Sequence, residues 1–377
     1  MNVLYLARTW QFGGSSTIIL SLIRHLPEHG VRVLFAPYES GTEADREFTG
    51  MASAAGATIL DTAMPWQGWT SWPAARACLK RVCNEHRIDV VHSHENLSTT
   101  IVGLGPKLRP RIATAYGWWE RDLKLKAFFA IERRLALPRF DRVLTVADSL
   151  RRRIVAAGTA PERVEVVRTG IDLPRLPDPD ERAALRALFG IPPSALVIGV
   201  VGRLAPEKGH GVLLQALSGL VANRPDLFLL VAGSGPSRPE IEARVAALGL
   251  DRQVRLAGFV PETRDAYAAM DLFALPSILP EGFPTVVIEA QAMSLPVVAT
   301  DIGGTGETLL PGTTGVLVEP RSVEALRAAL ARLVSDPDLM TRMGASGRAY
   351  VARLTVPSMV GKVATAYATV ATPRPAR

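Results

Sequence analysis

An arginine and a lysine lie five residues apart in the segment Gly202–Gly209, directly after the apolar run Leu196–Val201. A forked guanidinium, an ammonium and the free N–H groups at the start of a following helix are the groups that bind a diphosphate. The spacing of Arg203 and Lys208 therefore favours a diphosphate site. The alternative is that both are surface charges, with Glu207 as a local ion-pair partner.

Two carboxylates lie eight residues apart in the sequence EGFPTVVIEA. Glu281 falls in a glycine-containing loop, and Glu289 falls in an apolar stretch that predicts a helix. Pro284 predicts that this helix begins at the proline, because the first helical N–H has no partner within the helix. A carboxylate among apolar residues needs hydrogen-bond donors, and sugar hydroxyls are such donors. The alternative is a Glu289 on the helix surface and an ordinary loop Glu281.

Weaker candidates for ligand-binding residues follow two predicted strands in the first half of the chain. Gly13 and Gly14 follow the first predicted strand and would let the backbone approach a ligand, although a glycine turn before a helix is common. His94 ends another strand and would face a ligand, but a histidine satisfied within the core is the alternative. Two Asp-Pro-Asp strings, 178–180 and 336–338, follow no strand, so we expect no metal site.

Short apolar strands separated by helices must position these residues. Strands are predicted at 2–7, 31–36, 57–60, 89–93, 111–115, 142–146 and 164–167, and again at 196–202, 227–233, 253–259, 272–277, 296–301 and 315–320. Short apolar strands of this kind are buried on both faces, which indicates open parallel sheets covered by helices. Such α/β sheets bind their ligands at the carboxyl ends of the strands, where the candidate residues fall.

The chain is long enough for two domains, with 377 residues. Residues 174–194 are proline-rich at both ends and predict the entry to a second domain. We therefore predict a first domain over 1–173, a second over 174–350, and a terminal segment, 351–377, whose helix packs back on the first domain. The two domains are expected to face each other across a central cleft.

Composition excludes several classes of protein. Hydrophobic residues make up 48% of the chain, which excludes disorder. The only cysteines, Cys78 and Cys83, exclude a disulfide scaffold and a four-cysteine zinc site and fit a reducing compartment. We expect a cytoplasmic protein, because neither a signal peptide nor an apolar run of about 18 residues is recognisable.

The positive charge is concentrated in one stretch. The net charge is +7, and residues 100–155 alone hold 13 Lys and Arg against 5 Asp and Glu. Interleaved aromatics, Trp118, Trp119, Phe128 and Phe129, would suit an anionic membrane surface, which predicts a peripheral protein on the inner face of the cell membrane. The alternative is a solvated helix face. We expect no nucleic-acid partner, because no binding module is recognisable.

The motifs together resemble the retaining GT-B glycosyltransferases of family 4. The resemblance rests on VVGRLAPEKGH, the E-x7-E spacing of EGFPTVVIEA, VAGSGP, RLAGFVP, and TDIGGTGE followed by GVLVEP in the second half. In the first half GGSS, DVVHSHE, ADSLRRRIVAAG and VVRTGID agree with it. The resemblance covers essentially the whole chain.

The resemblance implies a fold and a reaction. The fold is GT-B, with two Rossmann-like domains whose parallel sheets face a central cleft, the first binding the acceptor and the second the nucleotide-sugar. The reaction moves a hexose-type sugar from a UDP- or GDP-linked donor to a glycan or lipid-linked sugar acceptor in cell-surface polysaccharide biosynthesis. The anomeric configuration is kept, and no metal or other cofactor is required.

The resemblance also implies roles for particular residues. Arg203 and Lys208 would hold the diphosphate, Glu281 the hydroxyls of the donor sugar and Glu289 the ribose, and His94 would lie near the reacting sugar. The implied catalytic residues are His94, Arg203, Lys208 and Glu281; the implied donor-binding residues are Gly13, Gly14, Gly202, Gly233, Phe259, Val260, Phe283, Pro284, Thr285 and Glu289.

The chain departs from the family pattern at three places. Ser16 stands where the family often has glutamate, Tyr116 stands where it has the histidine of Thr-x-His-Gly, and Pro284 replaces a glycine of many members and removes one N–H donor. Two alternatives to a transferase remain at this point: a nucleotide-sugar epimerase of the same fold, and a bilobal binding protein without turnover.

Overall fold

The computed structural model of the protein describes residues 1–8, 13–37, 42–62, 64–65, 71–118, 120 and 122–371. The chain divides into two compact units, Met1–Gly170 with Val356–Arg377, and Ile171–Thr355. These boundaries lie within five residues of the divisions predicted after residues 173 and 350. Trp119, one of the aromatic residues singled out above, lies outside the described residues.

Seven parallel strands form the sheet of the first unit. They are β1 (Asn2–Leu6), β2 (Arg32–Phe35), β3 (Thr58–Ile59), β4 (Val90–Ser93), β5 (Arg111–Ala115), β6 (Arg142–Thr145) and β7 (Val164–Val166). Their order is β3-β2-β1-β4-β5-β6-β7, and every pair is parallel. The β4–β5 pairing sets Ser93 opposite Ala113, so the two strands end side by side.

The helices of the first unit alternate with its strands. They are α1 (Gly14–His25), α2 (Glu43–Ala54), α3 (Trp72–Glu85), α4 (Asn96–Leu104), α5 (Leu123–Ile131) and α6 (Asp148–Ala156). α5 continues into a single π-helical turn, Glu132–Ala136. That turn packs closely on α4, because a Cβ added to Gly103 would lie 2.7 Å from the Cβ of Ala136. Glycine therefore permits the approach of the two backbones.

Six parallel strands form the sheet of the second unit. They are β8 (Leu196–Val201), β9 (Leu227–Ala232), β10 (Val254–Gly258), β11 (Leu272–Leu275), β12 (Val297–Thr300) and β13 (Gly315–Val318), in the order β10-β9-β8-β11-β12-β13. Ile198 and Val200 point into one apolar cluster and Val197 and Val201 into another, so both faces of the sheet are covered. The prediction of two α/β units with open parallel sheets is confirmed.

The second unit has seven helices, the first before its strands and the others between or after them. They are α7 (Pro179–Leu188), α8 (His210–Val221), α9 (Arg238–Ala247), α10 (Thr263–Ala268), α11 (Thr285–Ala292), α12 (Val323–Val334) and α13 (Pro337–Val351). The charged segment predicted as the entry to the second domain forms α7. Asp178 caps this helix by accepting a hydrogen bond from the backbone N–H of Glu181.

The last helix, α14 (Val356–Ala371), returns to the first unit. Its apolar face is buried there, and its Tyr367 hydroxyl lies 2.8 Å from the Tyr5 hydroxyl and 2.6 Å from Nδ1 of His92. Long-range hydrogen bonds to β1 and β4 thus hold the helix on the sheet. Among the helices that the structure describes, none is both long enough and apolar enough to span a bilayer.

Candidate active site

The predicted donor-binding residues of the second unit lie in the loops at one edge of its sheet and in helix α11. All its strands are parallel, so the loops after β8, β9, β10, β11 and β12 leave from the same, carboxyl edge. Direct contacts connect several of these loops.

Lys208 and Glu281 form an ion pair between the loops after β8 and β11. The Lys208 Nζ donates to Oε1 of Glu281 at 2.6 Å, and the buried Ser277 hydroxyl donates to the same oxygen at 2.6 Å. The side chains remain 23% and 13% exposed, so both are accessible to a ligand. The structure thus brings together two of the four predicted catalytic residues. Ser277 was not predicted, although it comes just after β11.

The backbone around Gly209 determines this pairing. Lys208 ends a 3-10 turn, and Gly209 follows it at φ 68°. A Cβ at Gly209 would lie 2.0 Å from the carbonyl oxygen of Pro276. Only glycine lets this turn approach the end of β11 so closely, which places Lys208 beside Glu281.

Arg203 lies on the same loop but has a local partner. Its guanidinium donates to the Glu207 carboxylate four residues on, as the alternative interpretation expected. The Arg203 side chain is still 35% exposed, and the preceding Gly202 turns the chain out of β8 at φ 142°. Arg203 and Lys208 therefore lie on the same loop, and Glu207 partly balances the charge of Arg203.

Gly202 and Gly233 connect the loops after β8 and β9. Gly233 has φ 148°, and a Cβ there would lie 1.8 Å from the carbonyl oxygen of Gly202. The two backbones therefore touch, and the glycine at 233 is required by packing within the unit. Its predicted role in donor binding remains a prediction.

The remaining predicted donor residues differ in exposure. The Phe259 side chain is 65% exposed after β10, whereas Val260 is half-buried and Phe283 is buried. Pro284 has φ −64° but an extended ψ of 109°, so it caps α11 and the helix begins at Thr285. The predicted start at Pro284 is therefore wrong by one residue, because proline fixes φ but not ψ.

Glu281 is also held through its backbone by the loop after β12. The N–H of Gly304 donates to the Glu281 carbonyl oxygen at 2.8 Å. Gly303 has φ 64°, and a Cβ there would lie 2.2 Å from that same oxygen. Sequence reasoning did not assign a role to this glycine pair, although it follows a predicted strand directly.

Glu289 has a donor within the protein. The Tyr267 hydroxyl, on α10, donates to Oε2 of Glu289 at 2.9 Å. Burial raises the pKa of Glu289, and the hydrogen bond from Tyr267 opposes that rise. Tyr267 thus supplies one of the donors that this carboxylate was expected to need, and the predicted contact of Glu289 with the ribose stays a prediction. Tyr267 was missed, because a contact between residues on two helices leaves no local pattern.

In the first unit His94 lies just after β4 within an aromatic cluster. Its ring centroid is 3.9 Å from that of His92 and 4.3 Å from that of Tyr5. Nδ1 lies 3.0 Å from the Tyr116 hydroxyl, whereas the buried Nε2 has no hydrogen-bond partner among the described residues. Burial lowers the pKa of His94 to about 3, so the ring is neutral at pH 7.

Gly13 and Gly14 lie where β1 leads into α1. Gly13 caps the helix with an extended backbone at φ −169°, and Gly14 is the first helical residue. A Cβ at Gly13 would meet nothing within 4 Å. Neither the backbone conformation nor packing among the described residues requires glycine at position 13.

Part of the basic stretch over 100–155 packs within the first unit. Trp118 and Phe129 are buried, so the expectation that they lie at a surface is wrong. Arg133 and Arg153 cover the Trp118 ring at 5.0 and 5.2 Å and both pair with Glu120. The indole and these two cations therefore stabilise the unit itself.

No group of three or more His, Cys, Asp or Glu side chains that could hold a metal ion occurs in the described part of the chain. Two ion pairs, Arg203–Glu207 and Lys208–Glu281, lie in the loops at the carboxyl edge of the second sheet.

Comparison with known proteins identifies the family. The family model described as Glycosyl transferases group 1 matches residues 181–350, and that described as Glycosyltransferase Family 4 matches residues 12–175. A D-inositol 3-phosphate glycosyltransferase of Thermobispora bispora is 33% identical over 74% of this chain and 70% of its own length. A GDP-mannose-dependent alpha-(1-6)-phosphatidylinositol monomannoside mannosyltransferase of Mycolicibacterium smegmatis is 29% identical over 89% of both chains.

The fold has close neighbours among solved structures. The crystal structure of Anabaena Alr3699/HepE in complex with UDP superposes with a TM-score of 0.84 at 20% identity and covers 98% of this chain and all of that chain. The two α/β units thus have the GT-B fold. The chain belongs to glycosyltransferase family 4, and the predictions of fold, family and glycosyltransferase activity are confirmed.

Proposed function

We propose that the protein is a retaining, metal-independent hexosyltransferase that uses a UDP- or GDP-linked sugar as donor. Its acceptor is a glycan or a lipid-linked sugar of cell-surface polysaccharide biosynthesis. The ion pair of Lys208 and Glu281 at the carboxyl edge of the second sheet carries the proposal. Support also comes from the two relatives, whose names specify transfer to inositol phosphate and to a phosphatidylinositol mannoside.

Within the second unit, Lys208 would bind the diphosphate of the donor. An ammonium has three N–H donors, and Glu281 accepts from one of them, so others remain for phosphate oxygens. Arg203, on the same loop, would add a second cation. The leaving diphosphate gains negative charge as the glycosidic bond breaks, and fixed cations stabilise that charge more in the transition state than in the ground state. These side chains would take the role that a metal ion has in other transferases.

Glu281 and Glu289 would bind hydroxyl groups of the donor. Glu281 accepts from Lys208 and Ser277 through Oε1, and these contacts orient its carboxylate toward the sugar. Glu289 accepts from Tyr267 through Oε2, and its other oxygen would accept from the ribose. The first two N–H groups of α11, at Thr285 and Val286, have no acceptor within the helix and would bind the donor as well.

In the first unit His94 would meet the reacting sugar. Its ring is neutral, and Nε2 is buried without a partner among the described residues, so a sugar hydroxyl would complete its hydrogen bonding. The open space around Gly13 supports the proposal that the backbone at Gly13 and Gly14 approaches the phosphates.

Donor turnover by the Lys208→Ala variant tests this function. We expect the wild type to consume one of UDP-glucose and GDP-mannose in the presence of an acceptor panel. Lys208→Ala should lower kcat/KM about 100-fold, because a hydrogen bond to a charged group is lost in the transition state. The exposed Lys80→Ala variant on α3 is the control and should keep wild-type rates.

Two outcomes of the same assay would refute the proposal. Wild-type activity in Lys208→Ala would remove the diphosphate assignment. A product with inverted anomeric configuration, determined by NMR, would remove the retaining mechanism. A change of the donor sugar without any acceptor would instead indicate an epimerase.

We further propose that the exposed end of α5 contacts an anionic membrane surface. Leu123 is 82% exposed there, and Lys124 and Lys126 are exposed beside it. An apolar side chain flanked by cations suits a membrane with anionic lipids. Trp118 is buried and is not part of this surface.

Flotation with vesicles tests the membrane contact. The wild type should float with vesicles that contain phosphatidylglycerol at low salt and be released by high salt, because the attraction is screened. The Lys124→Glu, Lys126→Glu double variant should stay unbound, whereas Lys80→Glu should behave as the wild type. Equal flotation of the double variant and the wild type would exclude this surface.

A further inference from the structure

Glu132 is a buried carboxyl group in the first unit that the proposed reaction does not use. Its exposed fraction is 2%, and burial raises its pKa to about 8. It begins the single π-helical turn that follows α5, and such turns are frequent at functional sites. A carboxyl group in these surroundings is unfavourable unless donors bind it, so its partners indicate its role.

The partners of Glu132 come from two different loops. Nδ2 of Asn96 lies 3.1 and 2.9 Å from the two carboxyl oxygens, and Nε1 of Trp118 donates to Oε2 at 3.0 Å. Asn96 begins α4 after strand β4, and Trp118 follows strand β5. The Glu132 side chain therefore connects, through hydrogen bonds, the segments that follow two adjacent strands.

The same two loops carry His94 and Tyr116. His94 lies two residues before Asn96, and Tyr116 lies two residues before Trp118. Nδ1 of His94 and the Tyr116 hydroxyl are 3.0 Å apart, which makes a second connection between the loops. The orientation of the imidazole therefore depends on how the two loops are placed relative to each other.

Trp118 is itself immobilised. The guanidinium groups of Arg133 and Arg153 lie over its ring, 5.0 and 5.2 Å from the centroid, and Glu120 binds both of these cations at 2.5 and 2.8 Å. On the other side the π-helical turn rests on α4 through the close contact at Gly103. Glu132 thus joins two elements that are already rigid.

We propose that Glu132 is a positioning residue for sugar transfer: it ties Asn96 to Trp118 and thereby holds the His94–Tyr116 pair so that Nε2 of His94 meets the substrate. This inference rests on the proposed function, in which His94 lies near the reacting sugar. Glu132 itself touches no substrate. Tyr116, which replaces the histidine of the family motif, takes part as the group that orients His94.

The inference is tested with variants that lack the hydrogen bonds between Glu132 and its partners. Glu132→Met removes both acceptors, and Trp118→Phe removes the indole N–H together with part of the ring. Each should lower kcat about tenfold or more, because misplacement of a reacting group by about 1 Å has effects of this size or larger. Neither should change the Kd for UDP or GDP, which the second unit would bind.

A conservative variant and a control separate positioning from general damage. Glu132→Gln should keep most of the activity, because the Asn96 amide can rotate and present its carbonyl to the new side chain. The double variant Glu132→Met, Trp118→Phe should lose no more than the worse single variant, because both act through one contact. Glu85→Gln, an exposed change on α3, should have no effect.

The imidazole ¹⁵N shifts of His94 give a measurement that does not depend on activity. They should move in folded Glu132→Met and in folded Trp118→Phe, and stay at wild-type values in Glu85→Gln. Unchanged His94 shifts, or unchanged kcat, in both folded variants would overturn the inference. Failure of the proposed function would look different, since the wild type would then consume no nucleotide-sugar while the shifts still moved.

Discussion

The two carboxylates of the E-x7-E spacing have different surroundings and therefore different chemistry. Glu281 accepts hydrogen bonds from the Lys208 ammonium and the Ser277 hydroxyl. Glu289 is one turn into a helix, with Tyr267 as its donor, and burial raises its pKa. Glu281 is suited to a polar ligand beside a diphosphate. Glu289 depends for its hydrogen bond on Tyr267, which lies outside the motif.

Removal of the Tyr267 hydroxyl should therefore be costly. We expect Tyr267→Phe to lower the free energy of unfolding by about 2 kcal/mol, because a buried carboxyl loses its donor. It should also raise the pKa of Glu289 further. Urea unfolding of the variant at pH 7 measures the first effect.

Tyr350→Phe is the control for this prediction. Its hydroxyl donates to the Glu307 carbonyl at 3.3 Å, a long hydrogen bond to a neutral acceptor, so the loss should be about 1 kcal/mol or less. An equal loss of unfolding free energy in the two variants would show that the Tyr267–Glu289 hydrogen bond contributes no more than an ordinary one.

Helices and strands could be predicted where a short stretch of sequence determines them. Every strand predicted from an apolar run is present, because such runs are buried on both faces of a parallel sheet. The start of α11 was misplaced because the φ of Pro284 suits a helix while its ψ is extended. The π-helical turn at Glu132–Ala136 was not predicted, since it depends on a tertiary contact with Gly103.

Loop connections at the carboxyl edge of the second sheet depend on glycine. Gly233→Ala should lower the free energy of unfolding by about 2 kcal/mol or more, because its Cβ would meet the Gly202 carbonyl at 1.8 Å and its φ is 148°. Chemical denaturation measures this loss.

Gly50→Ala provides the matched control for a glycine. Gly50 lies inside α2, and a Cβ there meets nothing within 4 Å. Alanine should stabilise that helix by up to about 1 kcal/mol. A loss at position 50 as large as that at position 233 would contradict the packing argument.

At the scale of the whole molecule, the sequence predicted the second unit better than the first. The residues at its carboxyl edge belong to contiguous motifs, so each motif indicates its own loop. In the first unit the decisive contacts join distant residues: Tyr5 meets Tyr367, and Asn96 meets Glu132. Glu132 looked like one charge in a basic helix, and no local pattern marks it as a buried partner.

Buried histidines should make stability depend on pH. Burial lowers the pKa of His210 to about 4, against about 6.5 in the unfolded chain, so its stabilising effect is lost as the pH falls below 6.5. The stability of the wild type relative to His210→Asn should therefore fall by about 2 kcal/mol between pH 7 and pH 5. Urea unfolding at both values measures the difference, and a constant difference would contradict it.

Glu132 should have the opposite effect. Its pKa is raised to about 8, so its contribution to stability is complete below the unfolded pKa of 4.5 and is lost as the pH rises to 8. The stability of the wild type relative to Glu132→Gln should fall by about 1.4 kcal/mol per pH unit in that range. A difference that stays flat from pH 5 to pH 8 would show that the carboxyl group titrates normally.

The central claim is that the cation beside Glu281 binds the diphosphate of a sugar nucleotide. Isothermal titration of UDP and GDP into the wild type, Lys208→Ala and Glu281→Gln tests it most directly. One nucleotide should bind the wild type; Lys208→Ala should weaken it at least about tenfold, and Glu281→Gln should bind it as tightly or more tightly, because a nearby negative charge is removed. Wild-type affinity in Lys208→Ala would contradict the account.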